Sequence, residues 1–350
     1  MTIARVWQAG AEMQSKAELP AESANWGSAS GQAISATKAK TGLYSFRFGA
    51  DDYPLGFATP SVAQVRCGAF FNHAGLTGTN ARGIFFHFDN SGGLNTVEYY
   101  QTTGVLRICA LNTEIVSVAA ATAGINPTNT WFHVGVNAKF SGGSPFLSVY
   151  INGVLRLQAT TGFYTGNCTG IYVGGRGSSA GNGWANYLYV DDIYGDTTVS
   201  EADDSVPQSI FEPLTVSGAG TNTNWSVAGA ATNYQAVDDT GAPNDTTDYV
   251  YASASGVNDG YAMSNLTLPA GYQIDAVIVE DWIKKSDPAK ASTIKLGTRL
   301  SGTEVLGSAQ ALTTTFGPVM ERQTTKPGGG AWSATDVNNM EIVHETAGTF

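Results

Sequence analysis

The chain has 350 residues, 42 of them glycine and only 13% charged, so its stability has to come from sheet packing and tight turns, and long helices are nearly excluded. Its 29 acidic and 18 basic residues leave a formal net charge of −11. No cluster of Lys or Arg is dense enough to track a phosphate backbone, which argues against nucleic acid and anionic membranes as partners.

The opening MTIARVWQAGAEMQSK carries polar or charged residues every few positions, and no apolar stretch in the chain approaches ~18 residues. Neither a secretory leader nor a membrane span is expected, and synthesis is assigned to a cytoplasm. Short strand candidates follow at Leu43 to Phe48, Gln64 to Asn72, Gly83 to Asp89, Thr96 to Gln101, Val105 to Asn112 and Glu114 to Ala119. Strands so short and evenly spaced, separated by Gly, Asn, Ser and Thr, predict an all-β sandwich. Between Thr130 and Asp196 come TWFHVGVNAK, FLSVYINGVLRL, GIYVGGRG and NYLYVDDIYGD. Phe132, Val134, Val136 and Ala138 alternate with polar positions that include His133 and Asn137, the period of two of a half-buried strand. Leu147, Val149 and Ile151 alternate likewise, and Asn152-Gly153 supplies two residues that tolerate positive φ before Val154 starts a return strand. Cys67, Cys109 and Cys168 sit inside or beside strand patterns and read as small buried hydrophobes.

The stretch TTVSEADDSVPQSIF is polar, acidic and without either hydrophobic period, as expected of a linker. Beyond it, Tyr272 to Ile283 predicts a long β-branched strand, and Thr293 to Leu300 with Ser301-Gly302 and Glu304 to Leu306 predicts a hairpin. A short helical turn is expected at Ser333 to Asn338, where Ser333 and Asp336 have capping-box spacing.

The four segments of Thr130 to Asp196, closing on YVDDIY, resemble the last strands of a concanavalin-A-like (laminin-G-like) jelly roll. That resemblance makes ARVWQAGAEM an entry strand, although Ala, Glu and Met are good helix formers. NWSVAGAATNYQAVDDTGAPNDTTDYVYAS, LPAGYQIDAVIVEDWIKK and GGAWSATDVNNMEIV extend it, so that the whole chain resembles a two-part virion protein of tailed bacteriophages. The resemblance implies a fold of two β-sandwich domains: a jelly roll over 1–196, an acidic linker over 197–210 and a β-rich domain over 211–350. It implies a non-enzymatic structural protein of the virion, as capsid decoration, head fibre or tail-associated protein. Such a chain would be made in the host cytoplasm, then associate with capsid or tail proteins and with itself. The alternative is a glycan-binding module that aids adsorption to host or environmental polysaccharide.

Glycosidases of the jelly-roll class need acid, nucleophile and helper alternating on one strand, and no Glu-x-Asp-x-x-Glu run occurs. Adjacent acids such as Asp191-Asp192 should face opposite sides of a strand. His73, His87, His133 and His344 share no ligand spacing. No enzyme is therefore expected. Jelly-roll carbohydrate-binding modules often share a cation between an entry-strand Glu and a last-strand Asp, and by that resemblance Glu12 with Asp191 or Asp192 are candidate ligands for a structural Ca²⁺. Glycan binding needs ring faces and amide or carboxylate partners. Trp184 in the loop GSSAGNGWAN is the leading candidate, with Asn182, Tyr187, Tyr164 and Tyr100, against the plainer role of aromatics as sandwich packing.

Overall fold

The computed structural model describes residues 5–9, 33–41, 45–48, 55–74, 82–100, 103–125, 129–175, 187–197, 206, 208–239 and 247–350. The fold is nearly all-β, and the chain divides into two compact units, Met1–Phe211 and Glu212–Phe350.

In the first unit the strands are β1 (Arg5–Ala9), β2 (Ala33–Ser35), β3 (Ser45–Phe48), β4 (Leu55–Val62), β5 (Gln64–His73), β6 (Arg82–Asn90) and β7 (Gly93–Tyr100). They continue with β8 (Val105–Ala110), β9 (Thr113–Ala119), β10 (Phe132–Lys139), β11 (Phe146–Ile151), β12 (Val154–Ala159), β13 (Cys168–Val173) and β14 (Leu188–Asp196). One helical turn, α1 (Ala120–Ala123), follows β9 and ends on Gly124 at φ 81°, where a residue without Cβ adopts the left-handed region without strain. An eight-stranded sheet runs β12-β11-β10-β5-β14-β3-β2, with β1 also on β14, and a six-stranded sheet runs β4-β13-β6-β7-β8-β9. One apolar core lies between them: Val65, Cys67, Ala69 and Phe71 of β5 and Val134, Val136 and Ala138 of β10 meet Phe86 and Phe88 of β6 and Ile108 of β8. This is a jelly-roll type sandwich. The period-two alternation puts those residues on one side. Asn152 and Gly153 turn the β11–β12 hairpin at φ 51° and 78°, as the primed turn requires. All three cysteines are buried and free, and burial pushes the Cys109 and Cys168 thiols up to about 12.

Three sequence expectations need adjustment here. β2 and β4 were not anticipated, because neither carries a clean alternation. β10 is buried on both faces rather than half-buried: His133 and Asn137, on the side away from the core, are 0% and 1% exposed. The acidic stretch is not wholly linker-like either, since Val206 packs between Tyr150 and Tyr194 on the outer side of the eight-stranded sheet.

The second unit holds β15 (Val216–Thr223), β16 (Ser226–Ala228), β17 (Tyr249–Tyr251), β18 (Asn258–Met263), β19 (Val277–Ile283), β20 (Ser292–Leu300), β21 (Thr303–Leu306), β22 (Gln310–Ala311), β23 (Gly317–Gln323) and β24 (Glu341–Gly348). β15-β18-β24-β20-β21 form one sheet, with β22 on β20, and β16–β17 and β19–β23 are two-stranded ribbons. Trp225, Tyr261, Val279, Leu296, Trp332 and Ile342 lie in its core. Ser301-Gly302 turns β20 into β21 at φ 50° and 82°. Helix α2 (Ala334–Asn339) is opened by a full capping box, with Ser333 Oγ accepting from Asp336 N and Asp336 accepting from Ser333 N. The apolar run from Tyr272 is strand only from Val277. Before it a Pro269 to Tyr272 turn, with Gly271 at φ 87°, interrupts pairing, and Ile274 keeps a single bridge to Trp332.

Candidate functional site

One end of the eight-stranded sheet gathers ring faces and hydrogen-bonding groups on its outer side. Tyr187, 40% exposed, precedes β14, and its ring lies 6.2 Å from that of Tyr189. Arg47 of β3 is registered opposite Tyr189 and turns its guanidinium onto Tyr187, 4.4 Å from the ring centroid. Lys38 reaches over Tyr189, 5.1 Å from its centroid, and donates to Asn72 Oδ1 at 2.9 Å and Asn129 Oδ1 at 2.6 Å. Asn72 in turn donates to the Asn129 carbonyl, so the amides are locked in place. Partial burial lowers the Lys38 pKa from its ordinary value. Arg47 Nε is buried without a hydrogen-bond partner, and no carboxylate pairs with Arg47 or Lys38 among the described residues. Sequence reasoning found Tyr187 here but missed Arg47, Lys38, Asn72 and Asn129, which come from distant segments and share no spacing. Trp184 and Asn182 lie outside the described residues.

The outer face of the six-stranded sheet is also polar. His87 and Tyr172, opposite each other on β6 and β13, both bond Asp89, at 3.1 and 2.8 Å. Burial alone would raise the Asp89 pKa, but those two hydrogen bonds outweigh it and hold the carboxyl below its usual range. Two strands away, Arg107 donates to Glu98 at 2.7 Å and Glu114 at 3.5 Å and lies 3.9 Å from the Tyr100 ring centroid. Tyr100 is thus covered by a cation on one face. Tyr164 packs its ring on Gly93, where a Cβ would stand 2.9 Å away, and its backbone is held by Asn95 at both N–H and C=O.

Asp191 and Asp192 do not face opposite sides of β14 as a regular strand would dictate. The register slips between Asp191 and Tyr194, Asp192 takes φ 51°, and both carboxylates are buried. Asp191 accepts from Lys40 N at 2.8 Å and from Asp192 N at 2.9 Å. Asp192 Oδ1 accepts from Thr41 Oγ1 at 2.7 Å and Phe211 N at 2.8 Å, while Oδ2 is buried with no hydrogen-bond partner. Burial, then the neighbouring Asp191, push the Asp192 carboxyl well above the carboxylate range, against the opposing hydrogen bonds. The described residues therefore fit part of a hard-cation site, two carboxylates and one hydroxyl, and contain no group of three or more His, Cys, Asp or Glu that could hold a metal ion. Glu12 lies outside them.

In the second unit, a polar concavity of about 480 Å³ is lined by Thr221, Asn222, Arg299, Ser301, Asn339 and Glu341. Glu304 sits 2.6 Å from Arg299 and Glu341 holds Thr221, so its charges are internally matched. No described helix is long and apolar enough to cross a membrane.

No family model matches the chain, and no curated protein matches it. Among solved structures it is similar to the cellulose-induced protein Cip1, at 17% identity over 48% of this chain and 85% of that one, with a TM-score of 0.37. The binding domain of Paraclostridial Mosquitocidal Protein 1 aligns at 11% identity over 56% of this chain and 49% of that one, with a TM-score of 0.41. Domain 4 of AbnA, an extracellular arabinanase from Geobacillus stearothermophilus solved with arabinotriose, aligns at 14% identity over 56% and 94%, with a TM-score of 0.36.

Proposed function

We propose that the first unit is a glycan-binding module whose site is the Tyr187 end of the eight-stranded sheet, and that sugars with an acidic substituent bind it best. The observation that carries this reading is an exposed ring beside two cations with no carboxylate partner among the described residues, set among amides already fixed by each other. A sugar offers a C–H face to stack on a ring and hydroxyls for amides. A carboxylate on that sugar would give Arg47 and Lys38 the counter-charge they lack. Trp184 and Asn182, just upstream of Tyr187 in the chain, are taken as the rest of the site. Tyr187→Ala, Arg47→Gln and Trp184→Ala are each expected to weaken binding of a carboxylated oligosaccharide by about 1–3 kcal/mol in calorimetric titration, with the melting temperature nearly unchanged. A large loss of stability would instead make the mutated residue a packing element. The module is proposed to bind without turnover, since the sequence carries no Glu-x-Asp-x-x-Glu run of the jelly-roll glycosidases.

A second reading sets this module in its biological place. The near full-length sequence resemblance to tailed-phage virion proteins supports a role on the particle surface, where many copies would multiply weak glycan contacts. Capsid or tail proteins and further copies of the chain would be its partners. Mass spectrometry of purified particles should then detect the chain, and its absence would leave the free glycan-binding module standing alone. Finally, Asp191 and Asp192 are proposed to hold a structural Ca²⁺ with Glu12. The buried, unpartnered Asp192 Oδ2 supports this, and the ion would offset the repulsion between two adjacent buried carboxylates.

A further inference from the structure

The polar concavity of the second unit is assembled from segments far apart in the chain. On β15 the pairing with β18 jumps from Ala219–Tyr261 to Thr223–Asp259, so Gly220, Thr221 and Asn222 take the place of a single residue and bulge out of the strand. Gly220 allows that arch. A Cβ there would stand 2.5 Å from the Gly260 carbonyl carbon. Thr221 and Asn222 thus meet Ser301 and Gly302, the turn between β20 and β21, and Asn339, the last residue of α2. Arg299 of β20 and Glu341 of β24, registered opposite each other with Nη1 and Oε2 3.8 Å apart, complete the lining.

The charged groups of this lining are already engaged. Glu304 accepts from Arg299 Nη2 at 2.6 Å, and Glu341 accepts from Thr221 Oγ1 at 2.7 Å and Thr221 N at 2.9 Å. One cation therefore stands against two carboxylates. The uncharged groups, by contrast, have capacity to spare: the side chains of Asn222 and Ser301 make no hydrogen bond with any described residue. Asn339 spends its Nδ2 on the Thr335 carbonyl at 2.9 Å, which fixes the amide and leaves Oδ1 to accept.

We propose that this concavity is a second ligand site, in the second unit, and that it takes a neutral mono- or disaccharide. The site does not rest on the one proposed for the first unit, and its preference is the opposite. A sugar hydroxyl both donates and accepts, which suits two amides, a serine hydroxyl and a guanidinium set beside a carboxylate. A carboxylated or phosphorylated ligand would have to displace Glu304 or Glu341 from its partner and would then face the other carboxylate. The volume of about 480 Å³ lies in the range of small-ligand sites. No aromatic ring lines it, so a dissociation constant on the order of millimolar is expected.

The test uses the full chain carrying Tyr187→Ala and Arg47→Gln, so that binding proposed for the first unit is removed and the two sites are read apart. Amide resonances are followed by NMR while methyl glycosides of glucose, galactose, mannose, N-acetylglucosamine and glucuronic acid are added separately. At least one neutral glycoside is expected to shift the amides of Asn222, Ser301, Gly302 and Asn339 together and saturably. Its affinity should change less than about twofold between low and high salt, because no net charge is exchanged. Asn222→Ala with Asn339→Ala should weaken binding about 30-fold, the worth of two net hydrogen bonds, and Asn222→Trp, whose ring would occupy the concavity, should abolish it. Both variants should melt like their parent, since neither asparagine is buried. Silence of those four amides toward every neutral glycoside, tighter binding of the glucuronide at them, or binding that both variants leave unchanged would overturn the site.

Discussion

Lowering the pH from 7 to 4 is expected to destabilise the first unit by about 3 kcal/mol for each of two histidines, His73 and His133, beyond whatever its carboxylates contribute. Both are fully buried, and burial depresses each pKa to about 3, with Lys38 adding to the effect at His73. The sign follows from proton counting. Folded, the rings stay neutral down to about pH 3, whereas unfolded they take up protons below ~6.5, so stability falls as pH drops through that window. Urea melts at pH 7 and pH 4 should show the loss, and His73→Phe with His133→Phe should recover about 6 kcal/mol of it. Parallel acid limbs for wild type and double variant would refute the assignment.

Calcium is expected to raise the melting temperature of the first unit by several degrees, since saturation at 100 times the dissociation constant is worth about 2.7 kcal/mol. Asp192→Asn should abolish the rise. The alternative occupant of Asp192 Oδ2 is a proton, because a buried carboxyl whose pKa is raised above its unfolded value weakens the fold once pH forces it to ionise. A proton predicts no calcium response, and an Asp192→Asn protein at least as stable as wild type at pH 7. Melts in calcium and in EDTA separate the two.

The parts legible in the sequence were those fixed by local rules. The period of two placed Val134, Val136, Leu147 and Val149 in the core, Asn152-Gly153 and Ser301-Gly302 marked their hairpins, and Ser333 with Asp336 marked the start of α2. What escaped was set by tertiary packing. The pattern of β10 reads as half-buried because His133 and Asn137 are polar, whereas in the fold Tyr194 and Phe70 pack against the His133 ring and Gln64 donates to Asn137. Asp191 and Asp192 should diverge by strand geometry, and a bulge that no local residue pattern announces brings both carboxylates into the interior. At the candidate site Tyr187 was legible by residue type, whereas Arg47, Lys38, Asn72 and Asn129 converge from four segments that only the sheet order β5-β14-β3 brings together.

The most direct test of glycan recognition at the Tyr187 end is a binding measurement of the full chain on immobilised polysaccharides, neutral and carboxylated, at low and high salt. Retention is expected on the carboxylated members, weakened by salt because Arg47 and Lys38 carry part of the contact, and lost in a Tyr187→Ala, Arg47→Gln variant that melts like wild type. Failure to bind any of them, or binding that the double variant leaves intact, would contradict it.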